Sequence, residues 1–107
     1  MNKYIIAFLA LTGLIFQISA QTIDPPVINC VTTDENSGDV TVSWNTPTIN
    51  PCGPFVEYVL IGSTNPGGPY QVVGTITDPN QISFTHTGAN GTVVDWYYLM
   101  FTRQNCP

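Results

Sequence analysis

The chain has 107 residues, with seven acids against two basic residues and a single histidine. At a net charge of −5 it repels phosphate backbones, which excludes nucleic-acid binding driven by Lys and Arg contacts. The length suits one small domain and not two.

The opening MNKYIIAFLALTGLIFQISA places Lys3 before an apolar run from Tyr4 to Phe16 and exits through Ile18, Ser19 and Ala20. This is the layout of a signal peptide, with cleavage expected after Ala20. The run falls short of the roughly 20 apolar residues that cross a bilayer, and no later stretch reaches that length. No cysteine follows the exit, so a lipid-anchored start is not expected. Residues 21–107 are then the mature domain, exported or at the cell surface, with seven acids and Arg103 as the one fixed cation, a net charge of −6. Export places Cys30, Cys52 and Cys106 where disulfides form and persist, and an odd number leaves one without a partner in this chain.

From residue 21 onward the dominant period is two, not 3.6. PPVINCVTT is a Pro-led extended segment ended by the turn cluster DENSGD. GDVTVSWN alternates, with Val40, Val42 and Trp44 on one face and Thr41, Ser43 and Asn45 on the other, so it predicts a strand with one buried face. TPTINPCGP is a loop stiffened by Pro47, Pro51 and Pro54. FVEYVLIGS is a third strand, TNPGGP a tight turn and YQVVGTIT a fourth strand; QISFTHT, after the turn DPN, is a fifth. Asn90-Gly91 supplies another turn, and VVDWYYLMFTR, residues 93–103, is the sixth strand. Six short strands without a helical stripe predict an all-β sandwich.

No arrangement that carries chemistry emerges. Ser83, His86 and Asp95 offer a nucleophile, a base and an acid on paper, but Ser83 and His86 are three apart on one strand and point to opposite faces. DENSGD holds Asp34, Asn36 and Asp39, yet it lacks the spacing and the terminal bidentate Glu of a calcium loop, so a solvated hairpin turn is expected. Asn90-Gly91-Thr92 matches a glycosylation triplet, but the turn already calls for Asn-Gly. The cysteine spacings lack the close pairs of a zinc site. No cofactor motif is present, and the domain is expected not to be an enzyme.

The order of aromatic residues carries a resemblance. Trp44 lies on the second strand without a neighbouring cysteine, Tyr58 on the third, and Trp96-Tyr97-Tyr98 opens the sixth. With the Pro-led first strand, this resembles a fibronectin type III domain over residues 25 to 107. Trp44 and Tyr58 are then core signature residues, and the residue matching that fold's tyrosine corner is Trp96, Tyr97 or Tyr98. PPVINCVTTDENSGDVTVSW, EYVLIGSTNPGGPYQVVGTI and YYLMFTRQNCP also look like the first such module of large secreted surface proteins of gliding bacteria, which end in a sorting domain.

The resemblance implies an immunoglobulin-like β-sandwich that ends before its last strand, leaving the sixth strand as an apolar edge. A fragment is the expected reason; the alternative is completion by a partner's strand. It also implies that the loop of Cys52 and the end of the sixth strand emerge together, so a Cys52–Cys106 disulfide is expected, with Cys30 a small buried core residue. The third and sixth strands become neighbours, and Phe55, Val59, Ile61, Trp96, Tyr97 and Tyr98 form the candidate interaction patch. The expected role is a non-enzymatic spacer or protein-binding module of a larger surface protein, contacting neighbouring modules or another surface protein. The alternative is a carbohydrate-binding accessory module of a glycan-degrading enzyme, with these aromatic residues stacked on sugar rings.

Overall fold

A computed structural model of the chain describes residues 24–48 and 53–106. The predicted signal peptide and Cys52 lie outside the described residues. Among the described residues six strands run in chain order: β1 (Val27–Thr33), β2 (Val40–Asn45), β3 (Phe55–Ser63), β4 (Gln71–Ile76), β5 (Ser83–His86) and β6 (Tyr97–Gln104). They form two three-stranded antiparallel sheets, ordered β1-β2-β5 and β4-β3-β6, stacked as an immunoglobulin-like β-sandwich. Among the described residues there is no helix long and apolar enough to cross a membrane.

Alternation in the central strands builds the core. Val40, Val42 and Trp44 of β2 turn inward and meet Tyr58 and Leu60 of β3, Ile76 of β4 and Met100 of β6. Trp44 is 1% exposed and Tyr58 0%. Phe84 of β5 packs across the two sheets onto Gly74 of β4, where an added Cβ would lie 2.5 Å from the ring tip. A side chain at 74 would displace an aromatic ring from the core, which explains a glycine in mid-strand.

The described strands carry three register shifts, one of which, between Leu60 and Ile61 in the β3–β4 pairing, sets Val72 opposite Ile61; the other two move residues away from their expected faces. In β1 a bulge between Ile28 and Cys30 lets Ile28 oppose the buried Trp44 while Cys30 opposes Ser43 on the outer face. Cys30 is therefore exposed, and the expectation of a buried core cysteine is corrected. In β3 a shift between Phe55 and Glu57 lets Phe55 oppose Gln104 and Glu57 oppose Arg103. Phe55 thereby joins the inner side, edge-on to Tyr58 with ring centroids 4.8 Å apart, instead of sharing a face with Val59 and Ile61.

The sixth strand starts later than predicted. Asn90 takes φ = 57°, and its carbonyl accepts from Val93 N and Val94 N, so residues 91–93 form a turn and pairing begins only at Tyr97. Trp96 pins this corner by donating Nε1–H to the Ala89 carbonyl at 2.8 Å. An indole N–H thus makes the backbone bond that a tyrosine hydroxyl makes in a tyrosine corner. On the far side of the sandwich the Tyr58 hydroxyl holds the β4–β5 connection through the Pro79 carbonyl at 2.8 Å.

Candidate functional site

Pairing fixes the parity of β6. Tyr98, Met100 and Thr102 face the core, while Tyr97, Leu99, Phe101 and Arg103 oppose Ser63, Ile61, Val59 and Glu57 on the outer face of the β4-β3-β6 sheet. Ile61 also opposes Val72 of β4. Val72, Leu99, Phe101 and Tyr97 are 63%, 51%, 41% and 40% exposed, so an apolar surface spans all three strands. The Arg103–Glu57 ion pair, 2.8 Å from Nε to Oε2, closes one end of it. A pair this exposed contributes little stability, about 0–1 kcal/mol, so its main effect here is to mark where the apolar surface stops. Among the described residues no strand pairs along the other side of β6.

The expected patch thus divides. Val59, Ile61 and Tyr97 lie on this outer face, although Val59 is buried; Phe55, Trp96 and Tyr98 pack against the core. Val72, Leu99 and Phe101 were not among the expected patch residues, yet a signal for two of them was present. Arg103 must reach water, and residues 97, 99 and 101 share its face by the period of two.

A second feature lies between the edge strands β4 and β5, where a lateral cleft of about 670 Å3 opens. His86 and Trp96 form its aromatic side, backed by Tyr98. The Tyr98 ring stacks on Trp96 at 6.0 Å and 18°, and His86 stands edge-on to Trp96 at 4.6 Å. Burial pushes the Tyr98 phenol up to about 12, so it stays protonated at neutral pH. His86 Nδ1 lies 2.9 Å from the Tyr98 hydroxyl; we assign the phenol as donor, which leaves the ring proton on Nε2.

Burial also holds the His86 imidazolium pKa below its usual value, with Asp39 opposing the shift weakly. The stability linked to a depressed histidine is complete above its unfolded pKa near 6.5 and is lost as pH falls through that value toward the lower folded one. Urea midpoints should therefore fall between pH 7.5 and pH 5, and His86→Gln should flatten this segment. A wild-type midpoint constant across it would show that His86 charges freely in the folded state.

The remaining polar groups serve the fold. Ser83 opposes Ser43 outside while His86 opposes Val40 inside, so the structure does not bring them together. The Asp34 carboxylate accepts from the N–H groups of Asn36 and Ser37, which hold its pKa below the usual carboxylate range, and Asp39 accepts from Gly88 N. Asp34 is thus bound to its own turn, and Asp39 ties that turn to the β5–β6 connection. Among the described residues no group of three or more His, Cys, Asp or Glu could hold a metal ion. Asn90 is exposed at the corner.

Cys106 is not a free thiol. Its expected partner Cys52 lies outside the described residues, but the flanking segments touch: Asn105 N donates to the Pro54 carbonyl at 3.0 Å. Backbone approach is so close here that a Cβ on Gly53 would clash with the Asn105 carbonyl.

No protein-family model matches the chain, and no curated protein matches it. Among solved structures, an Fn3-like protein from Clostridium thermocellum superimposes with a TM-score of 0.55 at 22% identity, covering 81% of this chain and 82% of that one. Likeness at this identity establishes a shared fibronectin type III-like fold.

Proposed function

We propose that this fibronectin type III-like sandwich is an exported, non-enzymatic module that serves a larger extracellular or cell-surface assembly as a spacer and protein-docking unit. The observation that carries the proposal is the outer face of the β4-β3-β6 sheet, where Val72, Tyr97, Leu99 and Phe101 stand exposed side by side. Contiguous apolar surface on a soluble domain marks an interaction site more often than isolated apolar residues do. A protein surface fits this face better than a small ligand, since it is a sheet face and not a recess. Neighbouring modules of the same polypeptide, or another surface protein, are its expected partners. The resemblance to first modules of gliding-bacterial surface proteins supports the same reading, as does the signal-peptide layout of residues 1–20.

The carbohydrate-binding alternative ranks lower in its expected form. Trp96 and Tyr98 pack against the core, so of the three aromatic residues opening β6 only Tyr97 faces outward.

The test compares the exported chain with a Leu99→Lys, Phe101→Lys double variant. Export should give a mature N-terminus at Gln21 by mass spectrometry. The wild type should retain a surface protein of the source cells in a pull-down, and the variant should lose it while keeping its melting temperature within a few degrees. Equal retention by both proteins, or none by either, would refute the docking role.

A further inference from the structure

We infer that the lateral cleft between β4 and β5 is a second binding site, for an uncharged, hydroxyl-rich ligand of the glycan class. It borders the outer docking face at Ser63 and Val72, but Asn65, Gln71, His86 and Trp96 belong to the cleft alone, and Leu99 and Phe101 to the docking face alone, so the two proposals are tested separately. Three properties of the cleft point to this chemistry.

The first is size: about 670 Å3 falls within the roughly 300–1,000 Å3 of small-ligand sites. The second is charge. In a chain with seven acids, no Asp, Glu, Lys or Arg among the described residues lines the cleft. Its polar side chains are neutral, among them Asn65, Gln71, His86 and Thr87, and together they offer both donors and acceptors. A charged ligand would find no counter-ion among them, whereas a ring bearing hydroxyls can both give and accept hydrogen bonds.

The third property is preorganisation. Trp96 is held in place by its bond to Ala89 and by stacking with Tyr98, and it presents a fixed aromatic border to the cleft. The apolar C–H face of a sugar ring packs well against such a surface. Asn65 is fixed from the opposite side, its Oδ1 accepting from Gly67 N at 2.9 Å and its carbonyl from Gly68 N at 2.9 Å. That leaves the Asn65 amide N–H groups for a ligand. The tautomer assigned to His86 adds an Nε2–H donor. Gln71 is exposed, and its side chain makes no hydrogen bond within the described chain, so its amide serves no evident structural purpose.

This placement differs from stacking on exposed strand aromatics. Here recognition comes from amide and hydroxyl groups of the β3–β4 turn and β5, with one aromatic border. Removing a single neutral hydrogen bond to a ligand weakens binding by about fivefold to tenfold.

The experiment is calorimetric titration of the full chain with soluble oligosaccharides of neutral β-glucan, xylan and mannan, using Gln71→Ala, Gln71→Trp and Phe101→Ala variants. Saturable binding to at least one of these is expected. Gln71→Ala should weaken it fivefold to tenfold, and Gln71→Trp, which fills the cleft mouth, should abolish it; neither should change the melting temperature by more than a few degrees. Phe101→Ala, on the outer sheet face, should bind sugar as the wild type does. Absence of binding to all three oligosaccharides would overturn the proposal, as would binding indifferent to both Gln71 substitutions. Loss on Phe101→Ala would place the sugar on the docking face and overturn the cleft assignment.

Discussion

Trp44→Ala is expected to remove about 3–5 kcal/mol of stability, the usual cost of emptying a large aromatic site in a packed core. Trp44 is 1% exposed and lies within the cluster that joins both sheets, so its loss opens a cavity that neither sheet can close alone. Small domains have total stabilities of about 5–15 kcal/mol, so the variant should stand near its unfolding threshold at 25 °C. A conservative substitution separates volume from polarity. The Trp44 Nε1 atom is buried without a hydrogen-bond partner among the described residues, which itself costs about 1–3 kcal/mol. Trp44→Phe loses ring volume but relieves that orphaned donor, so it should cost well under half as much as the alanine variant. Urea titrations of the three proteins measure both values. An alanine variant within 1 kcal/mol of wild type would contradict the central position of Trp44.

Reducing the domain is expected to lower its stability by about 4 kcal/mol, the chain-entropy value for closing a loop of some 50 residues between Cys52 and Cys106. At a urea slope of about 1 kcal/mol/M this moves the midpoint by roughly 4 M. The proposed bridge rests on contact between the segments that flank it, where Asn105 bonds Pro54 and Gly53 meets the Asn105 carbonyl. Cys106→Ser should reproduce the effect of reduction. Cys30→Ser should not, because Cys30 is a free, exposed thiol on the outer side of the β1 bulge. A non-reduced digest should link the Cys52 and Cys106 peptides. Recovery of a Cys30 linkage would refute the pairing.

The two substitutions test different levels of the fold. Trp44 reports on burial, which acts in the folded state; the bridge acts largely by restricting the unfolded chain. If both predictions hold, the module tolerates an exposed apolar face because its core and its cross-link hold it together without help from that face.

How far the sequence alone reaches is visible residue by residue. Alternation in β2 placed Val40, Val42 and Trp44 on one face, and all three are buried. A period of two with turn residues between strands is a local property, so strand existence and fold class could be read without tertiary information. The six strand segments all appear, with β3 matching its expected span and β6 beginning four residues late. That late start reflects the Asn90 turn and the Trp96–Ala89 bond, neither of which leaves a mark on hydropathy.

What the tertiary structure alone decided is which way the side chains at the margins point. One extra residue in β1 sent Cys30 outward, and a shift in β3 sent Phe55 inward, because a register step of one residue reverses the face of everything on that side of it. Partner strands set such shifts, so local alternation cannot reveal them. The parity of β6 was half legible: Arg103 needs water, and Tyr97, Leu99 and Phe101 follow it to the outer face. The cleft was not legible at all. It joins residues of the β3–β4 turn, β4, β5 and the β6 corner, separated by up to about 30 positions, and only the stacking of two sheets brings Asn65, Gln71, His86 and Trp96 around one space. Secondary structure in this protein is written in the period of its sequence, whereas its surfaces depend on the register between strands, which is settled only when the strands meet.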